Sequence, residues 1–116
     1  LTGALVLLAA AGLVRAADNS AAEIEYLLQA VGESGCVFQR NGEQHDSAEA
    51  ESHLRLKYRN GKRYVDSAEM FIKRLATKSS WTGKAFIIDC SGQSMPSADW
   101  LMRELNTYRD TTAVPE

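Results

Sequence analysis

Cysteine, histidine and proline each occur only twice in 116 residues, and basic side chains are outnumbered, 13 against 15 acidic, for a net charge of −2. Nucleic acids and anionic membrane surfaces select clustered Lys and Arg, so this balance argues against both as partners. The common catalytic phrases are missing too: there is no G-x-S-x-G, phosphate loop, H-E-x-x-H, C-x-x-C or dinucleotide fingerprint. No catalytic residue and no cofactor can be assigned on that basis. His45 and His53 have no third Cys, His or paired carboxylate nearby in the sequence, and only a tertiary partner such as Asp46 or Glu49 would complete a metal site. No metal is expected. The main apolar run, Ala4 to Val14, is broken only by Gly12, and it falls well short of the about 20 residues that cross a bilayer.

That run carries no charge and leads into Val14-Arg15-Ala16-Ala17, with a small residue at a cut site and Val three positions before the cut. It reads as a secretory signal peptide over residues 1–16, with cleavage after Ala17 as a close variant and a buried N-terminal helix as the structural alternative. The leader has neither an initiating Met nor a basic start. Once it is removed, 12 basic side chains face 15 acidic ones for a charge of −3, and no stable membrane insertion is expected. An exported chain meets an oxidising compartment, where pairing Cys36 with Cys90 is the economical inference. Closing a loop of about fifty residues would stabilise the fold by about 4 kcal/mol in the chain-entropy model. Two unpaired core thiols are the other reading. A periplasmic or secreted location follows from the leader.

Four phrases each put a capping side chain ahead of acidic residues: Asn19-Ser20-Ala21-Ala22-Glu23, Asp46-Ser47-Ala48-Glu49, Asp66-Ser67-Ala68-Glu69 and Ser97-Ala98-Asp99. Such side chains accept orphan N–H groups at helix starts, and the acids suit the positive end of the helix dipole. Apolar residues at helical spacing follow each start: Ile24, Leu27, Leu28 and Val31; Ala50, Leu54 and Tyr58; Phe71, Ile72 and Leu75; Leu101, Leu105 and Tyr108. Helix stops are expected at Gly32 and Gly35, at Asn60-Gly61 and at Ser79-Ser80. Cys36 to Arg40 alternates like a strand, and Asn41-Gly42 predicts a hairpin returning through Glu43 to His45. Lys84 to Cys90 reads as the last strand, while Ser91 to Pro96 reads as a polar loop. The expected fold class is α+β: four amphipathic helices on a small three-stranded sheet in the order α-β-β-α-α-β-α. It forms a single domain over residues 17–110, with a disordered tail over 111–116.

Two surfaces stand out as binding candidates. Lys78, Ser79, Ser80, Trp81, Thr82, Gly83 and Lys84 concentrate hydroxyls and a Trp between the third helix and the last strand, and such loops carry binding more often than regular elements do. Trp81 folding back onto the core is the alternative. His53 and Lys57 form a polar edge beside Leu54 and Tyr58 on the second helix, readable either as a contact surface or as a solvated boundary. A nucleophilic role for Ser79, Ser80 or Ser91 would need a base and an orienting group that the sequence does not place.

The chain resembles a family of small exported bacterial proteins, domain of unknown function 5329. The likeness lies in Cys36 through Gly42, Ala50 with His53-Leu54 and Lys57-Tyr58, Ser67-Ala68-Glu69 with Phe71-Ile72, Lys78-Ser79-Ser80 through Gly83, and Trp100-Leu101 with Leu105 and Tyr108-Arg109. The resemblance implies an exported single domain and no assigned activity. Where the family tends to have Ser-Gly-x-x-Tyr, this chain reads Thr82-Gly83-Lys84-Ala85-Phe86. That phrase also looks like the loop of periplasmic lysozyme inhibitors, which are β-barrels. The expected function is a non-catalytic envelope interaction module whose partner is an envelope protein or wall component. A small periplasmic ligand-binding protein or hydrolase, and a peptidoglycan- or lysozyme-directed binder, are the alternatives.

Overall fold

The computed structural model describes residues 19–112, and the expected leader and the last four residues lie outside that range. Helix α1 occupies 19–33 and buries Ile24, Leu27, Leu28 and Val31, the apolar face its spacing predicts. Ser20 does not cap it. Residue 19 is already helical, and the Ser20 hydroxyl instead donates to the Asp66 carbonyl. Strands β1 (Val37–Arg40) and β2 (Glu43–His45) follow, joined by Asn41-Gly42 with φ of 55° and 82°. Two successive left-handed residues match the twist of a tight hairpin, which is why Asn-Gly serves there.

Helix α2 (Ser47–Gly61) starts with the expected capping box: Asp46 accepts from the Glu49 N–H, and Glu49 accepts from the Asp46 N–H. It buries Ala50 and Leu54 and ends at Gly61, where a single 3₁₀ turn (Lys62–Tyr64) takes over. Helix α3 (Ala68–Leu75) is capped by Ser67 and stops short of the expected Ser79-Ser80. There the Ala76 N–H bonds Phe71 and Ile72 carbonyls, and the Thr77 hydroxyl closes on the Ile72 carbonyl at 2.6 Å. Residues 77–86 then double back on themselves, with the Phe86 N–H on the Thr77 carbonyl and a bridge between Lys78 and Ala85.

The sheet has four antiparallel strands in the order β2-β1-β3-β4, not the expected three. Strand β3 is Ile87–Cys90, shorter than expected, and β4 is Gln93–Pro96, the stretch read above as a polar loop. Ser91-Gly92 repeats the turn chemistry of Asn41-Gly42, with φ of 55° and 84°. Asp89 steadies that turn by accepting from the Gly92 N–H and the Ser94 hydroxyl. β4 escaped the alternation test because it is an edge strand whose only apolar side chain facing the core is Met95, and its Pro96 is tolerated at an edge. Helix α4 (Ser97–Thr112) is the last described element and runs two residues beyond the expected domain end at 110, so Thr111 and Thr112, expected in a disordered tail, are helical.

All the helices contribute side chains to one core on one face of the sheet. Register places His45, Phe38, Ile88 and Met95 side by side across the four strands on that face. The opposite face is polar or open, with Val37 39% exposed. Cys36 and Cys90 flank the Val37–Asp89 pair and form a disulfide, their Cα atoms 4.6 Å apart. No helix among the described residues is long and apolar enough to cross a membrane.

Candidate functional site

The two candidate surfaces meet. A cleft of about 420 Å³ is lined by His53 and Lys57 of α2, by Ser79, Ser80, Trp81 and Thr82 of the loop after α3, and by Arg40, Asn41 and Phe86. The volume falls within the range of small-ligand sites. Lys78, Gly83 and Lys84 do not line it, and their contribution is to hold the loop. The Lys78 carbonyl accepts from Lys57 Nζ at 3.2 Å, which ties α2 to the loop. Gly83, at φ 75°, returns its N–H to the Ser79 carbonyl. The Lys84 N–H donates to the Thr82 hydroxyl and its carbonyl accepts from the Ser79 N–H.

Ser79 is the buried knot of this loop. Its hydroxyl oxygen accepts from the N–H groups of Trp81 and Thr82 at 3.2 and 3.4 Å and from Asn41 Nδ2 at 3.3 Å. Thr82 in turn donates to Asn41 Oδ1, so the β1–β2 turn and the loop are clamped together. None of these bonds uses the Trp81 side chain, which is 96% exposed. The reading in which Trp81 folds onto the core is therefore overturned. Trp100, in contrast, packs partly buried against the core.

On the other wall, His53 stands edge-on to Phe86, ring centroids 6.0 Å apart, and Lys57 Nζ lies 4.9 Å from the centre of the same ring. Burial, followed by the charges of Arg40, Lys57 and His45, lowers the His53 pKa to about 4. Burial and then Arg40 also pull Lys57 below its usual value. A cation over an aromatic face is attracted by the ring quadrupole, which helps to keep Lys57 charged at this half-buried position.

Behind His53, Arg40 and Phe86 lies a smaller inner cavity of about 40 Å³, walled by Phe38, Ala50, Leu54, Ala76 and Leu101. His45 Nε2 and Ser97 Oγ sit beside it, both out of contact with solvent and without hydrogen-bond partners. Ser97 thus opens α4 without the capping bond expected of it, because its hydroxyl faces the core and is only 3% exposed.

These parts do not assemble a hydrolytic set. His53 makes no hydrogen bond with any hydroxyl among the described residues, no carboxylate lines the cleft, and the Ser79 oxygen is committed to three donors. A base protonating near pH 4 would also be a weak proton acceptor at neutral pH. Among the described residues no group of three or more His, Cys, Asp or Glu side chains could hold a metal ion. Sequence reasoning missed Arg40, Asn41 and Phe86 as lining residues. Asn41 was visible as a turn, but only the clamp between turn and loop brings it to the cleft.

Residues 18–109 match a family described as "Family of unknown function (DUF5329)". The chain belongs to this family. The match takes in every lining residue of the cleft, so the site is part of the DUF5329 region and not an appendage to it. The uncharacterized protein YfeK of Salmonella typhimurium (strain LT2) is 44% identical over 66 residues, which make up 56% of this chain and 55% of that protein. The DUF5329 chain thus spans just over half the length of that relative. No solved structure matches it.

Proposed function

We propose that this DUF5329 protein is an exported, non-catalytic interaction module of the bacterial cell envelope, and that the cleft between α2 and the 78–84 loop is its contact surface. One observation carries the reading: an indole 96% exposed on a loop whose own backbone is fixed by internal hydrogen bonds. A side chain of this size gains most by being covered, and a rigid loop loses little entropy when a partner covers it. The disulfide supports export, because such bonds persist in oxidising compartments.

The test is photo-crosslinking in intact cells with a photoreactive residue at position 81, followed by mass spectrometry of whatever is attached. One dominant envelope protein or wall fragment is the expected product, and a Trp81→Ala chain should fold with stability unchanged within about 0.5 kcal/mol while losing that partner. Silence at position 81, with a folded domain and silent crosslinkers on the other faces, would end the binding reading.

A further inference from the structure

The cleft is cationic in a chain that is acidic as a whole. Arg40 and Lys57 line it, and neither is ion-paired with any described residue, although Arg55 and Arg109 elsewhere are each paired with two carboxylates. Glu43 stands opposite Arg40 across the hairpin and Glu49 lines the inner cavity, but these carboxylates approach His45, at 3.8 and 3.5 Å, and neither lines the cleft. Partly desolvated cations without ion-pair partners, in a cleft that no carboxylate lines, form a seat for an anion, and enclosure strengthens that attraction relative to open water.

The remaining walls narrow the chemistry. Ser80 offers a hydroxyl without a partner among the described residues, Asn41 and Thr82 keep only the hydrogen-bonding capacity left over from their clamp, and Trp81 offers an uncovered aromatic face. Phe86 is only 6% exposed, with Lys57 over its ring and His53 packed perpendicular to it, so it offers the cleft little open surface and the exposed aromatic face is that of Trp81. Hydroxyl-matching groups, one stacking face and two cations suit a sugar ring that bears an acid better than they suit an apolar peptide anchor.

We propose that the cleft binds an acidic saccharide, with a pyranose stacked on the Trp81 indole and the sugar carboxylate lying between Arg40 and Lys57. This rests on the reading of the cleft as a contact surface and names what that surface takes.

The test titrates the folded protein, by calorimetry, with a tetrasaccharide of alternating N-acetylglucosamine and N-acetylmuramic acid, and with the same tetrasaccharide carrying methyl-esterified carboxyls. The acid form should bind at least about tenfold more tightly than the ester, and its advantage should shrink as salt is raised. Arg40→Gln and Lys57→Gln should each remove most of that advantage, and Trp81→Ala should weaken both forms. Equal affinity for acid and ester overturns the proposal, as does absence of binding at millimolar saccharide. If position 81 captures an envelope protein in cells while neither saccharide binds, the acidic-sugar proposal fails and the contact surface stands; silence in both experiments removes both.

Discussion

His53 shows how a single side chain is set by what surrounds it. On a bare helix its ring would titrate near 6.5; here burial comes first, and the cations Arg40 and Lys57 and the neighbouring His45 add to it, so that the ring protonates only near pH 4. Between those two values the unfolded chain takes up a proton that the folded chain refuses. Stability therefore carries no penalty from His53 above about pH 6.5 and falls as pH drops from there toward 4, below which both states are protonated and the loss is complete. Replacing His53 with Gln should flatten that part of the acid limb in urea midpoints measured between pH 4 and 7, with the m-value unchanged. An NMR titration of the His53 ring should give a midpoint near 4. A midpoint at the ordinary histidine value would mean that the ring is solvated and the cleft wall more open than described. An anion bound beside Arg40 and Lys57 would raise the midpoint, so the same titration also reports on the ligand.

At the scale of elements, regular amphipathic pattern was easy to read and tertiary clamps were not. The buried faces of all the helices follow from 3.6-residue spacing, and the caps at Asp46 and Ser67 form as their sequence implies. Ser20 and Ser97 carry the same cap chemistry in sequence and do not use it, because packing turns one toward Asp66 and the other toward the core. β4 hid because a polar edge strand has almost no apolar alternation to detect, although its Ser91-Gly92 turn mirrors the one that announced the first hairpin. The loop and the α2 edge were each visible as candidates, but their union depends on the bond from Lys57 to the Lys78 carbonyl and on the Asn41 clamp, contacts that no local pattern encodes. Ser79→Ala tests that clamp. It strips three donors of their acceptor and should cost about 1–2 kcal/mol in urea unfolding, with faster amide exchange at Trp81 and Thr82. Ser80→Ala, at an exposed position next door, should stay within about 0.5 kcal/mol of the parent. Equal, small effects from the two would show that the loop is held by its backbone bonds alone.

Over the whole molecule, covalent and ionic ties divide the work. The disulfide closes a loop 54 residues long in sequence that contains β1, β2, α2, α3 and most of β3, and so the whole of the cleft. Helices α1 and α4 fall outside that loop; the shared core holds them through Ile24, Leu27, Leu28, Val31, Leu101 and Leu105, and ion pairs add to it. Arg109 of α4 reaches Glu23 of α1 at 2.7 Å and Glu69 of α3 at 2.7 Å, and Arg55 of α2 holds Glu25 of α1 and its own Glu51. Tyr26 adds a hydrogen bond to Glu104 and packs on Tyr108, with ring centroids 4.5 Å apart. The two kinds of tie should fail differently. Replacing Cys36 and Cys90 with Ser enlarges the unfolded ensemble and should cost about 4 kcal/mol, a fall of roughly 15–30 °C in Tm for a domain of this size. Arg109→Gln leaves that ensemble alone and strands the mostly buried Glu23, for a loss of about 1–3 kcal/mol after allowing for the partly exposed arginine. Thermal unfolding of both variants checks the division. A double-serine chain melting within about 5 °C of the parent would place the constraint on the cleft in the core packing of Phe38, Ile88 and the helices, with the disulfide a minor addition.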